Sequence, residues 1–214
     1  MTTTTSSAEP IPVIPLTTPP DPTLLSQLVT LHQQSILHDH ALMRFHPPFT
    51  PAKTTTMTTW WRHRLSDAGH PSHHVFLAFS PPTAVPLLTS GAPTSPPPTL
   101  VGVVELLTPA SDTGHFRAEV EMLMVAPGWR GRGLARRLMA EVEGRAREVG
   151  RSLLVLSTTR ESEADRYLYP RLGYVAFGVL PEYGERPDGS GERVDGVYYY
   201  KDLRTWRERE GSAS

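Results

Sequence analysis

The stretch VAPGWRGRGLARRLM, Val125 to Met139, sets three glycines and four arginines within fifteen residues. A β-type run, FRAEVEMLMVAP (Phe116–Pro127), leads into it. An amphipathic helix, predicted over about Gly133–Val149, leads out. Leu134, Leu138, Val142, Ala146 and Val149 form that helix's apolar face, and Gly150 suits its C-terminal cap. The next segment, SLLVLST (Ser152–Thr158), is almost continuously apolar, as a strand buried on both faces would be. Strand, helix and strand in this order predict a parallel pair joined by a right-handed crossover.

The turn itself has two readings. A helix begins with unpaired N–H groups and the positive end of its dipole. Glycines let a pyrophosphate come close to those groups, and arginines add charge for it. Arg130-Gly131-Arg132-Gly133-Leu134-Ala135 thus makes a plausible diphosphate cradle, with amides from about Gly131 to Ala135. The same residues also suit a tight turn with a solvated arginine face. A dinucleotide fingerprint would need glycine at position 136, which is Arg136, and an acidic residue at the end of the next strand, where LLVLSTT has none. The Gly-Lys-Ser/Thr of a Walker loop is also absent. Glu141, Glu143 and Glu148 alternate with Arg145 and Arg147 along the helix, which suits a solvated face better than a nucleic-acid surface.

Working outward, residues 1–22 are rich in Thr, Ser and Pro and are expected to be disordered. Asp21-Pro22 reads as an N-cap followed by a first-turn proline, opening a helix through about His38. RFHPPFTP (Arg44–Pro51) breaks it, and a second helix is predicted over about Ala52–Ala68 with Met57, Trp60, Trp61 and Leu65 inward. HHVFLAF (His73–Phe79) and LVGVVELLTP (Leu100–Pro109) read as strands. The intervening stretch carries seven prolines between Pro81 and Pro98 and reads as a flexible loop, 80–98. A short helix is expected over about Glu163–Leu172, with Pro170 distorting its last turn. YVAFGVL and GVYYYKDL close the chain as two strands around a Pro187-Asp188-Gly189 turn. One domain is expected over residues 23–205, with a disordered tail over 206–214. Its sheet is mixed, with helices on both faces.

The 214 residues carry a formal net charge of −1 and no cysteine. Near-neutrality argues against a general nucleic-acid binder. The lack of cysteine excludes disulfides, thiolate metal sites and a cysteine nucleophile. No apolar run approaches the ~20 residues that span a bilayer. The first residues lack a basic, then apolar, secretion signal. A cytoplasmic location is expected, with no membrane or nucleic-acid partner. His38, His40 and His46 cluster without metal-ligand spacing, so no metal is expected.

Arg130-Gly131-Arg132-Gly133-Leu134-Ala135 resembles the acetyl-CoA-binding signature of the GNAT superfamily of N-acetyltransferases, Arg/Gln-x-x-Gly-x-Gly/Ala. YLYPRLGYV (Tyr167–Val175) is similar to its second motif, Leu-Tyr-x-x-Leu-Gly-Phe/Tyr, at the expected distance and in the expected order. RAEVEMLMV, LPEYGERPDG and VYYYKDL are most similar to the tabtoxin-resistance type. The resemblance is tight over about residues 115–203. Ser162 and Asp165 stand where members often carry Asn and Ala, and the proline loop is no family feature.

The resemblance implies a GNAT-like α/β fold: a mixed, mostly antiparallel sheet whose central parallel pair is splayed. It also implies direct transfer of acetyl from acetyl-CoA, the cosubstrate, to a primary amine of a small molecule such as a toxin or antibiotic. Protein acetylation and non-catalytic coenzyme binding are the alternatives. Deprotonating an alkylammonium at pH 7 costs about 4.6 kcal/mol, so a base is wanted. Glu119 and Glu121 share one face of the strand before the cradle. Glu119 falls where some members place their base, with Glu121 the alternative and Glu105 a third. The resemblance assigns thioester polarisation to the Val125 amide and thiolate protonation to Tyr169. It gives coenzyme contacts to Met124, Val125, Arg130, Gly131, Arg132, Gly133, Leu134, Ala135, Thr159 and Ser162. Arg136 or Arg137 would add charge for the phosphates. The 38–50 segment, with Phe45, Pro47 and Pro48, and the 181–196 loop, with Tyr183, would wall the acceptor pocket. Either a monomer or a homodimer is compatible with the sequence.

Overall fold

The computed structural model describes residues 11–81 and 98–204. Seven strands form one sheet in the order β1-β2-β3-β4-β5-β7-β6. They are β1 (Val13–Leu16), β2 (His73–Phe79), β3 (Leu100–Leu107), β4 (Arg117–Val125), β5 (Leu153–Thr159), β6 (Val175–Glu185) and β7 (Arg193–Asp202). All neighbours are antiparallel except β4 and β5. That parallel pair is the one the strand–helix–strand order predicts. It is bridged by α3 (Leu134–Glu148).

Strand β1 corrects the expectation of a wholly disordered segment 1–22. Val13 to Leu16 pair with Ala78 to Val75 of β2. The one proline within it, Pro15, suits this place: an edge strand has no outward partner, so a missing N–H costs little. Residues 1–10, most of the 80–98 loop, and residues from 205 onward lie outside the described residues.

Helix α1 (Pro22–Asp39) starts as the sequence implies, with the Asp21 carboxylate accepting from the Leu24 amide at 2.7 Å. Helix α2 (Pro51–Arg64) is capped by Thr50 and stops four residues earlier than expected, in a turn around Leu65. The two helices cover β2, β3 and β4 on one face, where Leu28, Leu31, Met57, Trp61, Val103 and Met124 form a core. On the other face α3 packs Leu134, Leu138 and Val142 against β3, β4 and β5. Gly102 makes this approach possible: a Cβ there would lie 2.9 Å from the Leu138 methyl.

The segment expected as one short helix is two pieces. Residues Ala164–Leu168 are π-helical, and a single α turn, α4 (Tyr169–Arg171), follows with Pro170 in its first turn. Proline has no N–H to continue the preceding ladder, so the helix restarts at Tyr169.

Candidate active site

The site is opened by what β4 and β5 do not share. Their ladder comprises Arg117–Leu153, Ala118–Leu154 and Glu119–Val155, and then stops. Beyond Glu119 the strands diverge and leave a cleft between β4 from Val120 and β5 from Leu156. A bulge accompanies the divergence. On the β3 side the register jumps from Glu105–Glu121 to Val103–Met124, and Met122 takes a φ of 53°. The extra residue turns both Glu121 and Met122 toward the α1/α2 face.

The bulge also decides where amides point. Ala126 donates to the Val101 carbonyl of β3 at 2.9 Å. Successive amides of a strand face opposite edges, so the Val125 N–H faces the cleft. Its own carbonyl accepts from Arg130 Nε at 3.1 Å. Val125 thus offers a donor where the strands have parted, which is the geometry an oxyanion requires. Met124, one residue earlier, is buried in the α1/α2 core.

Past β4 a 3₁₀ turn (Pro127–Trp129) leads to the cradle. Gly131 and Gly133 have φ of 70° and 74°, a left-handed conformation that favours glycine. No atom lies within 4 Å of where either Cβ would stand. The glycines therefore serve backbone angle and open space, not packing. Gly133 caps α3 without any side-chain acceptor, so the first amides, at Leu134 and Ala135, open onto this space.

The arginines of the turn divide. Arg130 reaches across to α1, where its guanidinium embraces the Asp39 carboxylate, Nη2–Oδ2 at 2.6 Å. It is anchored to protein on two sides and braces the turn. Arg132 lies over the Trp129 ring at 4.8 Å and is exposed, as is Arg136. A groove of about 620 Å³ runs beside this turn between Leu31, His38, Val101, Ala126 and Trp129. Neither Glu121 nor Tyr169 lines it.

Across the cleft, Thr159 ends β5 opposite Gly196 of β7. Ser162 is engaged locally: its hydroxyl accepts from the Asp165 amide at 3.2 Å. Asp165 also accepts the Tyr199 hydroxyl at 2.5 Å. The two departures from the family pattern thus hold the π turn together. Tyr169 is 5 % exposed, with its ring centroid 5.8 Å from Tyr174 and 5.5 Å from Tyr199. Burial first, then the Tyr199 phenol, push its pKa well above the usual tyrosine value, so it stays protonated.

The three candidate carboxylates differ sharply. Glu119 is exposed and sits within the paired part of the sheet, below the point of parting. Glu121 is the next residue on that face, the first above the parting, and one of its oxygens is held by Arg64 Nη2. Glu105 is fully buried and accepts from Arg64 Nε at 3.0 Å and from His73 Nε2 at 2.8 Å. The sequence reading missed Arg64. Its signal was position: Arg64 follows Met57 and Trp61 by seven and three residues, so it lies on the inward stripe of α2.

The expected acceptor walls also meet. Leu42 lies against Gly184 of β6, where a Cβ would stand 2.8 Å from its methyl. His40 is near enough to Asp188, in the β6–β7 turn, to help lower that carboxyl's pKa after the Ser190 hydrogen bonds. Beneath this bridge His32 is buried, with Nε2 2.9 Å from the Met43 carbonyl. Burial pulls its pKa down to about 4, so a neutral imidazole donates there and pins the segment. Trp60 packs edge-on against Phe45 and Trp61 and belongs to the wall of this core.

Comparison with known proteins agrees with this geometry. A profile described as the Acetyltransferase (GNAT) family matches residues 42–174. The L-amino acid N-acyltransferase MnaT of Escherichia coli (strain K12) is 31% identical over 72 residues, 33% of this chain and 42% of that protein. The chain therefore spans less than half the length of that curated relative. The fold is similar to yncA of Salmonella typhimurium, solved with its cofactor acetyl-CoA: TM-score 0.61, 16% identity, 91% of this chain and 94% of that one. A protein designated a phosphinothricin N-acetyltransferase gives TM-score 0.65 at 15% identity, over 90% and 99% of the two chains. The parted β4–β5 pair and the glycine turn that opens α3 both lie within the matched residues, and the chain belongs to the GNAT acetyltransferase family.

Proposed function

We propose that this enzyme transfers acetyl from acetyl-CoA to the primary amine of a small, amino-acid-like molecule by direct attack in a ternary complex. The coenzyme diphosphate would rest on the Gly131–Ala135 amides with Arg132 beside it, and the pantetheine arm would lie in the cleft beside Thr159. The ammonium first gives one proton to a carboxylate, directly or through water. The neutral amine nitrogen then adds to the thioester carbon; as the tetrahedral oxyanion collapses the C–S bond breaks, the thiolate takes a proton from Tyr169, and the nitrogen's second proton passes through water to restore the Tyr169 phenol. The Val125 N–H stabilises the intermediate oxyanion. Between the two strand carboxylates we favour Glu121 over Glu119, because Glu121 stands above the parting of the strands and Glu119 within the paired sheet.

The observation that carries the small-molecule reading is the contact of Leu42 with Gly184. Protein acetylation needs an open groove between the 38–50 and 181–196 segments. Here the two segments touch, which favours a closed pocket. The name of the Escherichia coli relative, and the phosphinothricin designation of a structural neighbour, point to free amino acids or their analogues. That is also what the tabtoxin-resistance resemblance implies.

The test is release of free thiol from acetyl-CoA in the presence of the twenty L-amino acids, phosphinothricin, and a hexapeptide with a free N-terminus. Turnover with an amino acid or phosphinothricin, and little with the peptide, is expected. Preference for the peptide would replace this reading with protein acetylation.

A further inference from the structure

A chain of charged side chains runs through the α1/α2 face of the sheet and ends at the cleft. Asp67 Oδ1 lies 3.0 Å from His73 Nδ1, and His73 Nε2 lies 2.8 Å from Glu105 Oε2. Both Glu105 oxygens lie 3.0 Å from Arg64 Nε, and Arg64 Nη2 reaches Glu121 Oε2. The guanidinium also lies 5.1 Å over the Trp60 ring. Exposure rises from Glu105, at 0%, to Glu121, at 37%.

Such a chain is not what stability alone would select. Glu105 interrupts an apolar strand, LVGVVELL, whose other residues are apolar or glycine. Apolar replacement of a buried ion pair is commonly neutral or stabilising. Nor does Glu105 need Glu121. Arg64 Nε and His73 already satisfy the buried carboxylate, and the Arg64 hydrogen bond to Glu121 is additional. What that bond fixes is the orientation of Glu121, at the bulge where β4 leaves β5. One oxygen is held by Arg64; the other, Oε1, makes no protein hydrogen bond among the described residues.

We propose that Arg64 is a positioning residue for the transfer reaction: it clamps one oxygen of Glu121 so that the other receives the acceptor ammonium, and Glu105, His73 and Asp67 hold Arg64 in place. This rests on the acetyltransferase reading with Glu121 as proton acceptor. In this proposal Arg64 acts on the reaction through Glu121 and makes no contact of its own with substrate or coenzyme.

That restriction makes a double-mutant cycle decisive. The probes are acetyl-CoA with the best acceptor among the L-amino acids and phosphinothricin. Arg64→Gln is expected to lower kcat about ten- to a hundredfold, with the KM for acetyl-CoA unchanged, on the scale of impaired general-base catalysis. In a Glu121→Gln background the same change is expected to cost less than about threefold. Arg64→Lys keeps the buried charge but cannot span both carboxylates, and is expected to fall between. It also serves if Arg64→Gln does not fold, with coenzyme-dependent thermal stabilisation as the folding control. Additive losses in the cycle, or an Arg64 variant within about twofold of the parent while Glu121→Gln is impaired, would overturn the positioning role alone. A Glu121→Gln enzyme with full turnover, or a parent that acetylates none of the probes, would remove the underlying reading and this proposal with it.

Discussion

Tyr169 has an unusual mix of properties for a proton donor: it is nearly inaccessible, ringed by two other tyrosines, and its pKa is raised by that burial. A raised phenol is a weaker acid, but it carries its proton throughout the physiological range. A departing coenzyme thiolate is a fair leaving group, so in the proposed mechanism Tyr169 would assist the step without deciding it. Tyr169→Phe is accordingly expected to lower kcat by about tenfold to a hundredfold. Acetyl-CoA affinity should change little, which calorimetric titration checks. Equal loss of affinity and turnover would mean that the ring only packs. Gly133 makes the complementary case. A Cβ there meets nothing, yet the φ of 74° is strained for any L side chain. Gly133→Ala should therefore cost about 1 kcal/mol of stability, with a further loss of coenzyme-dependent stabilisation if the space above it seats a diphosphate. Melting curves with and without acetyl-CoA separate the two effects.

Among the elements, β3 with its neighbours β2 and α2 carries the pH dependence. Burial would lower the pKa of His73, but its hydrogen bonds to Glu105 and Asp67 outweigh burial and raise it. A pKa raised on folding stabilises the fold fully below the ordinary histidine value of 6.5, and that contribution is lost as pH rises through the folded pKa. The His73 bond lowers the Asp67 carboxyl, so its contribution is lost in the opposite direction, as pH falls through its folded pKa. His32, whose pKa is pulled down to about 4, adds stability as pH rises, whereas the His73 contribution to urea resistance is lost as pH rises through its folded pKa, so His73→Gln should make the pH slope more positive than the parent's. An unchanged slope in the variant would show that other groups set it. Much of this region was legible, and what was not has a physical reason. Short β-type runs marked β2 and β3, and Glu105 stood out inside the apolar second one. The pairing partner, Arg64, is 41 residues away on another element, and no periodicity reports which inward charges meet. The Met122 bulge was hidden for a different reason: a left-handed φ at a non-glycine residue is imposed by the sheet around it, and the sequence carries no turn residue there. The proline-rich stretch around β1 misled because proline, as at Pro15, marks both disorder and sheet edges.

At the scale of the molecule, the sheet is two halves joined by a short seam. Strands β1 to β4 carry α1 and α2, while β5, β7 and β6 carry the second motif, and between β4 and β5 only three register pairs connect them. One core, beneath α3, crosses the seam; the other, beneath α1 and α2, stays within the first half. The family signature was readable because it sits at this seam, where glycine and arginine are dictated locally. The contact of Leu42 with Gly184 was not, because it joins segments 142 residues apart. Two predictions follow from this architecture. Leu42→Ala should loosen this contact and raise the KM for the amine several-fold, leaving the KM for acetyl-CoA unchanged, since Leu42 packs on Gly184 of β6 and nothing lies within contact of the Gly131 and Gly133 Cβ positions; steady-state kinetics with each substrate varied checks this. The coenzyme itself, lying along the divergent part of the seam, would contact both halves and bind only the folded chain. At a hundred times its Kd such a ligand adds about 2.7 kcal/mol of stability. For a chain of this size that raises Tm by about 5–11 °C. Desulfo-CoA, which keeps the diphosphate but lacks the thiol, should give most of the same shift, because the cradle and not the reacting sulfur supplies the contacts. A protein whose melting is indifferent to millimolar acetyl-CoA would not be using the cradle that its glycines build.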